Sequence, residues 1–211
     1  MGFTKTKIEV ELREFDTFLE AQQVFENDES EPNRRIAALN YIVSHQEIYY
    51  VLDILSKLFS ESKVENNKFI DAAFSGFGIK PKREKDFQAM FEMLKSDNAY
   101  LRNAVIRFLQ DYGKEAKEFI LKLMNDKDKD IRIFGINILG DVKYEDSVDM
   151  LRHFIVSESD INALMTAVDY FGEIGEEKDI ALLEAIKKEK NDPFVSFGVD
   201  IAIKRIKGGV L

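Results

Sequence analysis

The sequence predicts an all-α protein built from consecutive helical hairpins. Two observations support this fold class: a residue suited to start a helix recurs at nearly constant intervals, and apolar residues recur at fixed distances after it. Short polar side chains start helices well because their oxygen accepts hydrogen bonds from the free amides of the first turn. The predicted starts are Ser30, Asn66, Asn98, Asp128, Asp160 and Asp192, separated by 36, 32, 30, 32 and 32 positions.

Apolar residues stand three, seven and eleven positions after these starts, which places them on one face of a helix. The third position is apolar in five of the six units, and Asn33 is the exception. The seventh is small or medium, as crossing helices require: Ala37, Ala73, Val105, Gly135, Ala167 and Val199. The eleventh is large: Tyr41, Phe77, Leu109, Leu139, Phe171 and Ile203. Glycines at position twelve, Gly78, Gly140 and Gly172, predict left-handed helix ends, and Gly113 has this role in the third unit.

Self-similarity at this period is typical of a solenoid, whose units bury their apolar faces only by stacking. Each unit is predicted to contain a first helix (A) and a second helix (B), and the sixth unit has only one helix. The predicted helices after the first start are 31–44, 47–60, 67–77, 84–95, 114–124, 145–155, 178–188 and 193–207, together with the A helices that begin after Asn98, Asp128 and Asp160.

The units resemble the short HEAT-like repeats of the phycobilisome-lyase type, in which an apolar residue and an arginine are followed by a small residue. Leu101-Arg102…Val105 and Ile131-Arg132…Gly135 fit this pattern, and Arg34…Ala37 fits it in part. The other units carry Ile70, Leu164 and Ser196 in place of the arginine. The resemblance implies a right-handed α-α superhelix of five to six helical-hairpin repeats over residues 30–207, with Arg132 in a structural role.

The N-terminal segment is predicted to be an acidic helix, over about residues 7–27, within a single domain of residues 1–211. Residues 8–31 contain nine acidic residues and one basic residue. The predicted apolar face comprises Ile8, Leu12, Phe15, Leu19 and Gln22, widened by Phe18, Ala21 and Phe25. Solenoids need end units with a polar outer side, so residues 1–29 are interpreted as a cap. The alternative is a docking helix for a basic partner.

Composition excludes several classes of protein. The chain has no cysteine, which removes disulfide frameworks, cysteine-ligated metals and thiol nucleophiles and fits a cytoplasmic location. No apolar run is long enough to cross a membrane. Met1-Gly2 with Thr6 loosely fits a myristoylation start, which chance explains equally well. The net charge of −9 argues against nucleic acid as partner.

Few residues suggest chemistry. Only His45 and His153 are present, and neither has a second histidine or a carboxylate four residues on, so no metal is predicted. Phosphate-loop and hydrolase motifs are missing, and no cofactor is predicted. The segment Gly78–Lys85 has four basic residues and one acidic residue. It is interpreted as a solvated loop, with an anion or partner contact as the alternative.

The sequence therefore predicts a non-enzymatic scaffold or adaptor that binds another protein. In HEAT solenoids the B helices line the concave face, and the outward positions of two adjacent B helices are Glu118, Lys122, Asp149, Arg152 and His153. A bilin-lyase-like subunit is an alternative that the repeat type suggests. A HEAT-like DNA-lesion-binding glycosylase is a second alternative, which is disfavoured because the chain is acidic and has no tryptophan.

Overall fold

The structure, a computed structural model, describes residues 15–59, 64–76 and 81–208. These residues form twelve α-helices and no strand, which confirms the predicted all-α fold of helical hairpins. The helices are α1 Phe18–Glu26, α2 Pro32–His45, α3 Ile48–Leu58, α4 Asn67–Gly76, α5 Glu84–Leu94, α6 Ala99–Tyr112, α7 Lys117–Met124, α8 Lys129–Val142, α9 Ser147–Ser157, α10 Ile161–Ile174, α11 Ile180–Lys190 and α12 Pro193–Ile206. Short 3-10 turns precede α4, α7 and α11.

The chain divides into two compact units, Met1–Val105 and Ile106–Leu211, and the division falls within α6. In the first unit α1 packs on α2, α2 packs on α4, and α3 packs on α5. In the second unit α8, α10 and α12 pack in succession, while α7, α9 and α11 pack on α8, α10 and α12 respectively. Within each unit, therefore, A helices lie against A helices. The predicted single domain of residues 1–211 stays a prediction.

An aromatic cluster forms part of the core of the first unit. The rings of Phe25, Phe59 and Phe69 are buried, with centroids 5.6 to 6.1 Å apart. The guanidinium of Arg35 lies 4.6 Å from the centroid of Phe69, and its Nε donates to the Phe25 carbonyl oxygen at 2.8 Å. A charged group buried this deeply needs such partners to offset the loss of hydration.

The predicted apolar columns are buried in the repeats of the second unit. The positions seven and eleven residues after the starts of α8, α10 and α12 are all inaccessible or nearly so: Gly135, Leu139, Ala167, Phe171, Val199 and Ile203. Burial of such side chains contributes about 1.5–3 kcal/mol for each large residue. Stacking of successive A helices therefore supplies the core, as the repeat period predicted.

Four predicted helix starts are confirmed by their side-chain hydrogen bonds. Asp128, Asp160 and Asp192 each accept from the backbone amides at the start of α8, α10 and α12. Asn98 does the same for α6, with its Oδ1 3.0 Å from the Tyr100 amide nitrogen. Asn98 is 1% exposed, and its Nδ2 also donates to the Phe59 carbonyl oxygen at 2.8 Å. One side chain thus caps a helix and binds the end of an earlier one.

The predicted start of the first repeat at Ser30 is wrong by one residue. The residue before α2 is Glu31, because Pro32 occupies the first helical position, where its missing amide hydrogen is no loss. The buried positions of α2 move accordingly by one residue, to Ala38 and Ile42. The buried arginine of this repeat is therefore Arg35, whereas Arg34 lies over the Phe15 ring at 4.1 Å.

Gly140 and Gly172 are not left-handed helix ends, contrary to prediction. Both lie inside their helices, and Gly78 falls outside the described residues. A Cβ added at Gly140 would lie 2.1 Å from the Tyr170 ring, and one at Gly172 would lie 2.9 Å from the Ala202 Cα. Glycine is needed at both positions because the next A helix approaches closely. Gly113, with φ +72°, does follow the end of α6 in the left-handed conformation.

The N-terminal helix is shorter than predicted within the described residues. It starts at Phe18, because the Thr17 side chain accepts from the Glu20 amide and caps it there. Its buried residues are Ala21 and Phe25, whereas Leu19, which was predicted to be buried, is 62% exposed. Predicted residues 7–14 of this helix lie outside the described part of the chain. The role of this segment as a cap or a docking element stays a prediction.

Candidate functional site

Four of the five predicted partner-binding residues are exposed on two consecutive B helices. Glu118 and Lys122 lie one turn apart on α7, and Asp149 and His153 lie one turn apart on α9. The opposite faces of both helices are buried through Phe119, Ile120, Leu123, Leu151 and Ile155. The exposed side chains therefore project from a firmly packed support.

Two contacts hold the start of α9 against the start of α7. Lys117 Nζ lies 2.6 Å from Asp146 Oδ2, and the Tyr144 hydroxyl donates to the Gly113 carbonyl oxygen at 3.1 Å. The hydrogen bond from Lys117 keeps the pKa of Asp146 below its usual value. Burial raises the pKa of Tyr144 to about 12, so its hydroxyl stays protonated and remains a donor at neutral pH. These contacts fix the relative position of the two helices within the second unit.

Arg152, the fifth predicted residue, is used within the fold. Its Nε and Nη2 lie 2.7 and 2.9 Å from the two carboxylate oxygens of Asp179, and its Nη1 also binds Asp149. Asp179 is 4% exposed and accepts from the Glu176 amide at 2.8 Å, at the turn before α11. The hydrogen bonds from Arg152 outweigh burial and lower the pKa of Asp179. Arg152 therefore connects the B helices of two successive repeats.

His153 presents one ring nitrogen as an acceptor. Its Nδ1 lies 2.7 Å from the Asp149 carbonyl oxygen. Because a carbonyl oxygen only accepts, Nδ1 carries the proton in the neutral ring, and Nε2 is left as an acceptor. His153 is exposed, so Nε2 is available to a donor on another molecule.

Sequence reasoning missed Val156, which is 66% exposed on α9. It lies three residues after His153, on the same side of the helix as Asp149. The sequence did indicate that Val156 is exposed, since this residue falls outside the apolar face that Leu151 and Ile155 define. We call five exposed residues of α7 and α9 the B-helix surface: Glu118, Lys122, Asp149, His153 and Val156.

A groove of about 770 Å³ lies between the two B helices of the first unit, α3 and α5, and Tyr49, Tyr50, Asp53 and Gln88 are among the residues that line it. Arg83, Glu84 and Lys85, from the predicted basic segment, also line it. Lys85 Nζ lies 3.1 Å from Glu47 Oε2, and Arg83 binds the other carboxylate oxygen of Glu47.

The hydrogen bonds from Arg83 and Lys85 lower the pKa of Glu47 to about 2. Glu47 therefore stays ionised at neutral pH and offsets part of the positive charge of Arg83 and Lys85. Residues 78–80 of the predicted basic segment fall outside the described part of the chain.

The described residues contain no group of three or more His, Cys, Asp or Glu arranged to hold a metal ion. His45 stacks on the Tyr41 ring at 4.0 Å, and its Nδ1 lies 2.8 Å from the Tyr41 carbonyl oxygen. Both of these contacts of His45 are therefore made within α2. Among these same residues, no helix combines the length and apolar character that crossing a membrane requires.

Comparison with known proteins identifies the repeat. A family model described as HEAT repeats matches residues 117–200, which extend from α7 into α12 and include the B-helix surface. No curated protein and no solved structure shows significant similarity to the chain.

Proposed function

We propose that this member of the HEAT-repeat family is a non-enzymatic scaffold that binds another protein on the B-helix surface. HEAT repeats generally mediate contacts between proteins, because stacked units create one extended face. The proposal depends on one observation. Charged side chains of both signs and the apolar Val156 are exposed on two helices whose opposite faces are buried and which are joined by the Lys117–Asp146 ion pair.

The chemistry of this surface favours a protein over a nucleic acid. Glu118 and Asp149 are acidic, Lys122 is basic, and His153 offers an acceptor nitrogen. A surface that binds the phosphate backbone instead needs an excess of basic residues. A protein partner with both charges and a small apolar residue would satisfy all five positions. The location of the protein and the bilin-lyase-like alternative stay predictions.

A charge-exchange variant tests the proposal. In the double variant Glu118→Lys with Lys122→Glu, the net charge is unchanged and helix propensity nearly so, but the two charges on α7 are exchanged. The matched control is Glu173→Lys with Lys127→Glu, which exchanges exposed charges at α10 and in the loop before α8. Each purified chain is immobilised, and the proteins it retains from a native lysate are quantified by mass spectrometry.

We expect at least one protein to be depleted tenfold or more by the α7 variant and retained by the control. The direct affinity of that protein, purified, for the chain should fall by a similar factor, with an unchanged thermal melting curve for the variant. Equal retention of every protein by the two double variants would refute the B-helix surface as the binding site. Turnover of a substrate by the purified chain would refute the non-enzymatic part of the proposal.

A further inference from the structure

The last described helix, α12, has an exposed apolar stripe. Phe194 is 58% exposed and Phe197 is 67% exposed, and Ile201, four residues further on, is half-buried. The opposite face of the helix is buried against α10 and α11 through Val195, Val199 and Ala202. Two exposed phenylalanines one helical turn apart are uncommon on a surface that contacts only solvent. Such apolar patches are typical of contact sites.

Phe197 occupies the position that the preceding repeat uses for stacking. Met165 stands five residues after the Asp160 cap of α10, and its Cε lies 2.2 Å from the site of a Cβ on Gly198 of α12. Phe197 stands five residues after the Asp192 cap of α12. The equivalent side chain in the previous repeat therefore covers the next A helix, and Phe197 is placed to cover a helix laid beside α12.

The stripe is also complementary to itself when reversed. Phe197 and Ile201 lie two residues on either side of position 199, and Phe194 and Lys204 lie five residues on either side. An antiparallel copy of α12 would therefore set Phe197 against Ile201 of the other copy and Phe194 against Lys204. A lysine ammonium over an aromatic ring is attractive, and the pairing occurs twice in a twofold contact.

The charges at the two ends of α12 favour the same arrangement. Asp192 stands at its beginning, while Lys204 and Lys207 are exposed at its end. Antiparallel pairing brings the aspartate of one copy near the lysines of the other, and it also opposes the two helix dipoles. Parallel pairing would bring like charges together.

From these relationships we infer that α12 is a self-association surface and that its occupant is the antiparallel α12 of a second copy of this chain. This inference is independent of the partner bound on α7 and α9. A helix of 14 residues is about 21 Å long, so the contact buries less than the roughly 800 Å² per partner of a standard interface. The dimer is therefore weak, with a dissociation constant on the order of micromolar or higher.

Sedimentation equilibrium of the full chain over a wide concentration range tests the inference. We expect a monomer–dimer equilibrium that stops at the dimer, because a twofold contact is closed. Phe197→Asp should raise the dissociation constant at least tenfold, and Lys204→Glu should raise it by a smaller factor. The matched controls are Val156→Asp, at an equally exposed apolar residue, and Lys188→Glu, at an exposed lysine of α11; both should leave the dimer intact.

Disulfide crosslinking tests the antiparallel alignment, since the natural chain has no cysteine. With dissolved oxygen as the oxidant, a mixture of the Phe197→Cys and Ile201→Cys variants should form crosslinked dimers faster than either variant alone. A chain that is monomeric at all concentrations would overturn the inference. So would growth beyond the dimer, a dimer that persists in Phe197→Asp, or crosslinking that is no faster in the mixture.

Discussion

Arg132 and Glu158 form a two-point ion pair, with Nε 2.6 Å from Oε2 and Nη2 2.7 Å from Oε1. Arg132 Nη1 also donates to the carbonyl oxygens of Asp126 and Lys127, each at 3.0 Å. Glu158 in turn accepts from the Asp160 amide at 2.7 Å. The pair therefore ties the loop before α8 to the loop before α10, which is the structural role that the sequence predicted for Arg132.

Removing the Glu158 charge should destabilise the second unit strongly. The Glu158 side chain is 3% exposed and that of Arg132 is 15% exposed. Glu158→Gln would leave a largely buried guanidinium without its carboxylate, and we expect a loss of about 3 kcal/mol in the free energy of unfolding. Asp169→Asn, which breaks an exposed pair with Arg205, should cost less than about 1 kcal/mol. Urea unfolding followed by circular dichroism gives both values, and equal losses would contradict the prediction.

Stability should fall in acid because of the same carboxylate and of Asp179. Burial raises the pKa of Glu158, but the hydrogen bonds from Arg132 and the Asp160 amide outweigh it and the net shift is downward. The pKa of Asp179 is lowered chiefly by Arg152. A lowered folded-state pKa contributes stability above the unfolded value, about 4.3 for Glu and 3.9 for Asp, and that stability is lost as pH falls through the folded value.

The free energy of unfolding should therefore decline below about pH 4.5, as these two groups become protonated first in the unfolded chain. The double variant Glu158→Gln with Asp179→Asn should start from a lower stability at pH 7 and show a shallower decline. Urea unfolding at steps between pH 3 and pH 7 measures both slopes. Parallel slopes for the variant and the natural chain would show that other groups govern the acid response.

Local spacing predicted much of the fold because helix starts and apolar faces are determined within one or two turns. Asp160 and Asp192 were recognised as caps for this reason. Relationships between repeats were beyond such reasoning: nothing near Arg152 in sequence indicates that Asp179, 27 residues later, accepts its hydrogen bonds. The outward position of Arg152 on α9 was therefore insufficient to predict its role, whereas His153 beside it is exposed as expected.

Contacts between repeats also determine the role of the glycines inside helices, which local spacing did not predict. Two of these glycines, Gly172 and Gly198, allow a direct comparison. An alanine stabilises a helix interior by about 1 kcal/mol over glycine when space permits. At Gly172 the added Cβ would meet the backbone Cα of Ala202 at 2.9 Å, so α10 and α12 must separate. At Gly198 it would meet only the flexible end of Met165, which moves at little cost. Overpacking between backbones typically costs about 1–3 kcal/mol.

We therefore expect Gly172→Ala to lower the free energy of unfolding by about 1 kcal/mol or more. Gly198→Ala should leave it unchanged or raise it by up to about 1 kcal/mol. Both values come from denaturant unfolding of the full chain under the same conditions. The comparison is matched because the two substitutions are chemically identical and involve the same pair of helices. A stabilising Gly172→Ala would mean that the helices do not approach as closely as described.

Substitutions of Arg152 and His153 should have different effects, although the two residues are adjacent in sequence. The first should lower stability, and the second should weaken binding. Arg152→Ala removes both hydrogen bonds to the nearly buried Asp179 carboxylate and should lower the free energy of unfolding by about 2–3 kcal/mol. His153→Ala removes an exposed ring and should change it by less than about 0.5 kcal/mol. Calorimetry measures the change in stability of both variants. The affinity for a partner captured on the B-helix surface measures their effect on binding. His153→Ala should weaken that affinity several-fold at unchanged stability, and the reverse pattern would assign the partner contact to Arg152.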